Sequence, residues 1–293
     1  MSIGSFLLTR ENLDLVARLS WQRGRPQIVE QGMRYYDQHP DDVAEVSDNL
    51  AFMGLPHAGA ELDEALRHIA IHYYEKLFGL VKRYETVWIV RNRVEVGESL
   101  APFHEAREQG KAVFIAGCHF GGTYLIPGVL MANGIETAMV GRYPEPVLGM
   151  FRATARELVE RYGTAPIHLL NVDDPGTDVP FDMMTRLMRG GVVSNVFDEP
   201  NQFARPVTLL GRTIRGGAGM DLVLRSFSDD KVVVVTPFLV RTSDETFRLE
   251  VDRHLLSCGD IVASFFASLE ARVRAHYAQW YFIHELHEAR LDV

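Results

Sequence analysis

The sequence has little of several features that mark particular protein classes. It has two cysteines, Cys118 and Cys258, and no CxxC spacing, which argues against a disulfide framework or a cysteine-based zinc site. No apolar run approaches the roughly 20 residues that span a bilayer, and the start, MSIGSFLLTRENLD, lacks the basic leader of a signal peptide. The formal net charge of −9 lacks the basic excess typical of nucleic-acid-binding proteins. We therefore expect a cytoplasmic location, no integral membrane segment, no nucleic-acid partner and no bound metal.

The composition that is present suits one large folded unit. Hydrophobic residues make up 47% of the chain and charged residues 24%, a balance that can fill a core. No low-complexity tract or internal repeat interrupts the sequence. Because no linker is recognisable, we predict a single domain over residues 1–293, with a helical cap over 1–85 and an α/β core over 86–293.

The spacing of apolar residues changes at this boundary. The first 85 residues show helical spacing, with Thr9 as one N-cap and a stripe that includes Leu62, Leu66 and Ile69. After them, short apolar runs alternate with amphipathic stretches, which favours right-handed crossovers and a mostly parallel sheet flanked by helices. The segment TFRLEVDRH (246–254) alternates with a period of two and predicts a more exposed strand. The predicted buried strands are VWIV before Arg91, AVFIAG (112–117), ETAMVG (136–141), IHLLNV (167–172), VVSNVF (192–197) and VVVVTPFLV (232–240).

His119 is the residue whose position most strongly suggests chemistry. It follows the predicted strand 112–117 and precedes Gly121, Gly122 and a helix. Ligands of open parallel sheets bind outside the carboxyl ends of the strands, and histidine can act as a general base near neutral pH. The two glycines allow another group to approach the backbone closely. We expect His119 to line the largest cleft, although a histidine that only satisfies loop carbonyls would have the same position.

The segment GCHFGG (117–122) resembles a block of the lipid A biosynthesis lauroyl and myristoyl acyltransferase family, in which a histidine follows a strand of the same kind. Further segments resemble that family in the same order, over roughly residues 40 to 290. They are DDVAEVSDNLAFMG (41–54), VEVGESLAPFHEAREQGKAVFIAG (94–117), VVSNVFDEP (192–200), ARPVTLLGRTIRGGAGMDLVLR (204–225) and QWYFIHELHE (279–288).

The resemblance implies an acyltransferase with His119 as its base. The acyl group would come from a thioester of acyl carrier protein or coenzyme A, with no other cofactor, and would pass to a hydroxyl or amine of a soluble small-molecule acceptor. The developing oxyanion needs donors, for which backbone N–H groups near Gly216 and Gly217 are candidates. Arginines suit phosphate or carboxylate recognition, and the candidates are Arg142, Arg205 and Arg215.

The sequence departs from the family pattern where the family has an acid five positions after the histidine. Tyr124 stands there. Either Asp198 or Glu199 holds the imidazole, or Tyr124 hydrogen-bonds it, or the ordinary chemistry is lost. We expect Tyr124 close to the ring, and one of the two carboxylates within reach of it directly or through one water.

The second departure is the missing N-terminal membrane anchor, which argues, with the acidic charge, against a lipid A precursor as acceptor. The alternatives are a peripheral glycolipid or phospholipid acyltransferase, a non-catalytic acyl-binding protein and a thioester hydrolase.

Overall fold

A computed structural model of the chain describes residues 2–142, 147–174, 176, 178–217 and 219–291, without the side chains at 83, 84 and 147. Helices make up the chain as far as Arg93. The expected N-cap is confirmed at Thr9, whose hydroxyl accepts a hydrogen bond from the Asn12 N–H. The helices are α1 (Ile3–Leu7), α2 (Arg10–Arg18), α3 (Trp21–Gln38), α4 (Pro40–Phe52), α5 (Gly59–Val81) and α6 (Arg83–Arg93).

The run VWIV lies in α6, so the prediction of a strand there was wrong and the helical region extends past residue 85. Thr86 and Val90, one helical turn apart, both face Gly128, where a β-carbon would lie 3.3 Å from each side chain. Two residues four apart can meet one partner in this way on a helix. A four-residue apolar run does not by itself distinguish helix from strand.

The remaining chain forms an α/β sheet of seven strands in the order β1-β9-β8-β2-β5-β3-β4. Strands β8, β2, β5, β3 and β4 are parallel, β9 is antiparallel to β8, and β1 is parallel to β9. The predicted mostly parallel sheet is thus confirmed. The strands are β1 (Val94–Glu95), β2 (Ala112–Gly117), β3 (Thr137–Gly141), β4 (Ile167–Asn171), β5 (Val192–Val196), β8 (Val232–Arg241) and β9 (Phe247–His254), and a separate hairpin contains β6 (Arg205–Leu209) and β7 (Arg212–Gly216).

Helices cover both faces of this sheet. All ten residues of β8 are buried, as expected for a central strand covered on both sides. Exposed and buried residues mix along β9, as its sequence predicts. The helices of this part are α7 (Ala101–Glu108), α8 (Ile126–Ala132), α9 (Val147–Tyr162), α10 (Val179–Met188), α11 (Met220–Leu224) and α12 (Ile261–His276).

The chain closes over the sheet through α12 and two 3₁₀ segments. Asp260 caps α12 by accepting from the Ala263 N–H, and the helix ends at His276. The 3₁₀ segments Tyr277–Gln279 and Tyr281–Glu288 follow. The main hydrophobic core draws on the N-terminal helices and the sheet alike, for example where the Trp21 ring of α3 meets the Phe247 ring of β9. Within the described residues, no helix combines the length and the apolar character needed to cross a membrane.

Candidate active site

The carboxyl ends of β2 and β5 bring the chemically distinctive residues together. The two strands are parallel neighbours, with Gly117 of β2 paired with Val196 of β5. The pairing continues past both strands, because the Phe197 N–H donates to the Gly117 carbonyl. His119 lies two residues after Gly117, and Asp198 two residues after Val196. This register places the imidazole and the carboxylate side by side.

His119 and Asp198 form a buried, doubly connected pair. The Nδ1 atom of His119 is 2.9 Å from Oδ1 of Asp198, and the backbone N–H of His119 donates to Oδ2 at 2.9 Å. The indole N–H of Trp280 also donates to Oδ2, at 3.2 Å. Asp198 is fully buried, and among the described residues these three donors satisfy its charge. The carboxylate fixes a hydrogen on Nδ1, which leaves Nε2 as the ring atom available for chemistry.

Glu199 contacts that second nitrogen. Its Oε1 atom lies 3.0 Å from Nε2 of His119, and its side chain is 55% exposed, whereas that of His119 is 10% exposed. The expectation that one of these two carboxylates lies within hydrogen-bonding reach of His119 is confirmed, and both do. Burial lowers the pKa of His119, but the charge of Asp198 and the hydrogen bonds to Asp198 and Glu199 outweigh burial and hold that pKa well above its ordinary value. The two carboxylates therefore favour the protonated form of the imidazole.

The closing segment forms an aromatic wall beside His119. The Tyr281 ring meets the imidazole edge-on at 4.9 Å, and the Phe282 ring stacks at 5.9 Å. The Tyr281 N–H donates to the His119 carbonyl at 3.2 Å, while Trp280 holds Asp198 from the same segment. The tertiary structure thus ties residues 280–282 to both members of the pair.

An inner ion pair supports the loop that follows His119. Arg241, at the end of β8, forms two hydrogen bonds to Glu75 of α5, at 2.8 and 2.7 Å, and both side chains are buried. The same guanidinium donates to the Gly121 carbonyl at 2.7 Å. Gln279 accepts from the Arg241 N–H and donates to the Arg241 carbonyl, both at 2.9 Å. The buried Arg241–Glu75 ion pair therefore supports the loop after His119 by a hydrogen bond to the loop backbone.

Tyr124, in the 3₁₀ turn Thr123–Leu125, packs against side chains of α5, and no described contact joins it to His119. Its ring tilts against that of His72 at 4.7 Å, and Lys76 Nζ lies 5.5 Å from its centre. His72 in turn stacks on Tyr281. The expectation that Tyr124 takes the place beside the imidazole is not supported, because Tyr281 and the two carboxylates occupy the described surroundings of that ring.

Gly121 and Gly122, which were predicted to let another group approach the backbone closely, are approached by other parts of the protein. The N–H groups of Gly121 and Gly122 donate to the carbonyls of Gln279 and Leu239, and both residues are buried. Gly121 has a φ of +59°, and a β-carbon there would lie 2.1 Å from the Leu239 oxygen. The close approach expected at these glycines is therefore made by β8 and, at Gly122, also by the Phe247 ring of β9, and their N–H groups are not free to bind an oxyanion.

Gly216 and Gly217 are likewise packing positions. A β-carbon at Gly216 would lie 2.4 Å from the Phe266 ring, and one at Gly217 would lie 2.8 Å from Val262. The Gly217 N–H donates to the Phe197 carbonyl at 2.8 Å, directly before Asp198. This bond steadies the turn that presents Asp198, but it removes Gly217 as an oxyanion donor.

Among the described contacts of the three predicted arginines, none is to His119. Arg142 follows β3 at the same sheet edge, but it is exposed and pairs with Asp173 at 3.1 Å. Arg205 pairs with Asp260, and Arg215 bonds the Asn201 carbonyl at 3.4 Å. The role of these arginines in substrate binding stays a prediction.

Two surface grooves lie away from His119, and the thiol next to His119 is buried. Grooves of about 380 and 420 Å³ lie along α9 and between α3 and α5, and His119 lines neither of these two. That His119 lines the largest cleft stays a prediction. Burial, with the charge of Asp198, raises the pKa of the Cys118 thiol well above its ordinary value, which disfavours a thiolate. Among the residues that the structure describes, no group of three or more potential metal ligands is assembled.

Sequence reasoning missed Arg241, Glu75 and Trp280. Arg241 follows the predicted strand 232–240, which is almost wholly apolar. The rule that ligands bind outside the carboxyl ends of strands, applied above to His119, would also have indicated Arg241. Glu75 is a charge within the buried stripe of α5, which signals a paired partner. No local signal pairs Trp280 with Asp198, because 82 residues separate them.

Comparisons with protein families and with curated proteins find no match to this chain.

Proposed function

We propose that the protein is an acyltransferase that moves an acyl group from a carrier thioester to a hydroxyl or amine of a soluble acceptor. The observation that carries the proposal is the Asp198–His119 pair at the carboxyl end of β2, with Nδ1 bound and Nε2 directed to an exposed group. A histidine oriented in this way by a buried carboxylate has the arrangement of a general base. The resemblance of GCHFGG and the ordered segments around it supports the choice of acyl transfer.

In the proposed reaction, Nε2 of neutral His119 takes the proton of the acceptor hydroxyl as the oxygen bonds to the thioester carbonyl carbon. The tetrahedral intermediate then expels the thiolate, which takes the proton from Nε2. The products are an ester and the carrier thiol, and His119 returns to its neutral form. Asp198 stabilises the imidazolium between the two steps without accepting the proton itself.

The catalytic step requires that Glu199 leave Nε2, because a nitrogen that already carries a hydrogen directed at a carboxylate has no free lone pair. The side chain of Glu199 is more than half exposed, so this movement does not disturb the core. The order of events is therefore displacement of Glu199, deprotonation of His119 and attack by the acceptor.

The test is incubation with acyl-carrier and acyl-CoA thioesters and a panel of hydroxyl and amine acceptors, with products read by intact mass. We expect transfer that falls at least about a hundredfold in His119→Ala, the lower end of the effect of general-base catalysis. Release of free acid without transfer would favour the thioester hydrolase. Unchanged turnover in His119→Ala would refute the proposal.

A further inference from the structure

The second nitrogen of His119 is covered by a residue that is free to move. Nε2 lies 3.0 Å from the carboxylate of Glu199, and Glu199 is the exposed member of the Asp198–His119–Glu199 series. The base is thus held in its protonated form by a carboxylate that a ligand can reach from solvent. An acceptor must supply something that draws this carboxylate away.

The charges around His119 indicate what that ligand supplies. On α5, His72 is neutral because burial, followed by the positive charge of Lys76, lowers its pKa well below the ordinary value. The negative charges of the two carboxylates that flank the His119 ring are offset at the ring only while the imidazole carries its proton. Once His119 is neutral, the carboxylates of Asp198 and Glu199 no longer face a positive charge on the ring. The charged and titratable groups that interact with His119 are Asp198, Glu199, Glu285, His72 and Tyr281, while Lys76, Arg241 and His284 act on His72 or Glu285.

We infer that the acceptor carries an organic cation, such as an ammonium group, and that Glu199 is the residue that recognises it. The inference rests on the proposed function and names the class of acceptor for the same site. In the bound state Glu199 contacts the cation instead of Nε2, and the proton of Nε2 passes to solvent. The acceptor hydroxyl then occupies the place at Nε2 that Glu199 has left. One positive charge replaces another, so the two carboxylates beside the ring stay balanced.

This exchange links cation binding to proton release. Binding of the cation is favoured when His119 is neutral, whereas in the free protein the contact between Glu199 and Nε2 favours protonated His119 and raises its pKa. The apparent affinity for a cation therefore increases about tenfold for each pH unit, as long as the pH stays below the raised pKa of His119. A neutral ligand that needs no proton exchange lacks this dependence.

The experiment compares ethanolamine with ethylene glycol, which has nearly the same shape and no charge. Binding is followed by NMR of the His119 imidazole in protein with labelled histidine, at up to about 100 mM ligand and matched ionic strength, since ligands of four heavy atoms bind weakly. We expect ethanolamine to bind about tenfold more tightly at pH 7 than at pH 6. We expect ethylene glycol to show no such change.

Two variants assign the effect to its residue. Glu199→Gln should lose the preference for ethanolamine over ethylene glycol. Glu108→Gln is the matched control, because Glu108 is exposed at the end of α7, near the amino end of β2 and the opposite edge of the sheet, and it should keep the preference.

The outcomes separate the two proposals. The inference is overturned if ethanolamine leaves the His119 resonance unchanged, if it binds no better than ethylene glycol, or if Glu199→Gln keeps the preference. These measurements use no acyl donor, so a failure to detect acyl transfer leaves them intact. Conversely, His119-dependent transfer to neutral alcohols alone would uphold the proposed function and overturn the cationic acceptor.

Discussion

Replacing Asp198 by Asn tests the pairing on which the site depends. The carboxylate is fully buried and accepts three hydrogen bonds, two from His119 and one from Trp280. An asparagine keeps the shape but loses the charge, and its NH₂ group must face one of these donors. Removing one partner of a buried pair costs about 3–5 kcal/mol. Because Asn retains one acceptor, we expect the free energy of unfolding to fall by about 2–4 kcal/mol at pH 6.

The loss in Asp198→Asn should depend on pH in a defined direction. The pKa of His119 is raised in the folded protein, so its protonation stabilises the fold fully below the unfolded value near 6.5. That contribution is lost as the pH rises through the folded pKa. In the variant, Glu199 is the carboxylate that still opposes the effect of burial on the pKa of His119. Protonation of His119 therefore stabilises the variant less than the wild type. The difference between wild type and variant should therefore be largest at pH 6 and smaller at pH 9.

The assay is urea unfolding followed by far-ultraviolet circular dichroism at the two pH values, together with acyl-transfer rates. We expect the rate to fall at least about a hundredfold. Asp173→Asn is the control, because that exposed carboxylate pairs with Arg142 at the end of the neighbouring strand β3 and should change stability little at either pH. A loss in Asp198→Asn that is equal at pH 6 and pH 9, or an unchanged rate, would refute the reasoning.

Three further substitutions test the support of the site. Gly121→Ala should destabilise the fold in urea by clearly more than Gly134→Ala, because both glycines have positive φ but only the β-carbon at Gly121 meets a backbone oxygen; equal losses would contradict the packing argument. Arg241→Met should cost about 3–5 kcal/mol by leaving Glu75 buried without its partner, and adding Glu75→Leu should restore much of that loss; a double variant that is no more stable would contradict the ion-pair assignment. Tyr124→Phe should keep the transfer rate within about threefold of wild type, since the hydroxyl has no described bond to His119; a loss as large as that of Asp198→Asn would give Tyr124 a direct role.

The apolar patterns predicted the sheet but not every element. The runs at 112–117, 136–141, 167–172, 192–197 and 232–240 all form strands, because a buried strand of a parallel sheet needs apolar residues on both faces. The run VWIV met the same criterion and forms a helix. Within the run, Val90 packs against Gly128 of α8 while Trp88 is exposed, and the contact of Val90 is a tertiary one that no local pattern encodes.

At the site, sequence position predicted which residues come together, and tertiary packing decided what each can do. His119 and the Asp198–Glu199 pair follow neighbouring parallel strands, and parallel strands end at one edge, so their proximity follows from order along the chain. Gly121, Gly122, Gly216 and Gly217 could be recognised as sites of close approach. Whether a ligand or the protein approaches them depends on which surface packs there, and here it is β8, β9 and α12.

The sequence by itself determined the α/β class and the strands that carry the site, and it indicated the candidate base and its candidate carboxylates, because these depend on local periodicity and on chain order. Only the tertiary structure decided that Asp198 and Glu199 contact opposite nitrogens of His119. It also decided that Trp280 donates to Asp198 and that Arg241 donates to the Gly121 carbonyl. Those contacts join residues between 79 and 120 positions apart. Their geometry is set by the register of β2 against β5 and by the packing of the closing segment, which act together only once the core has formed.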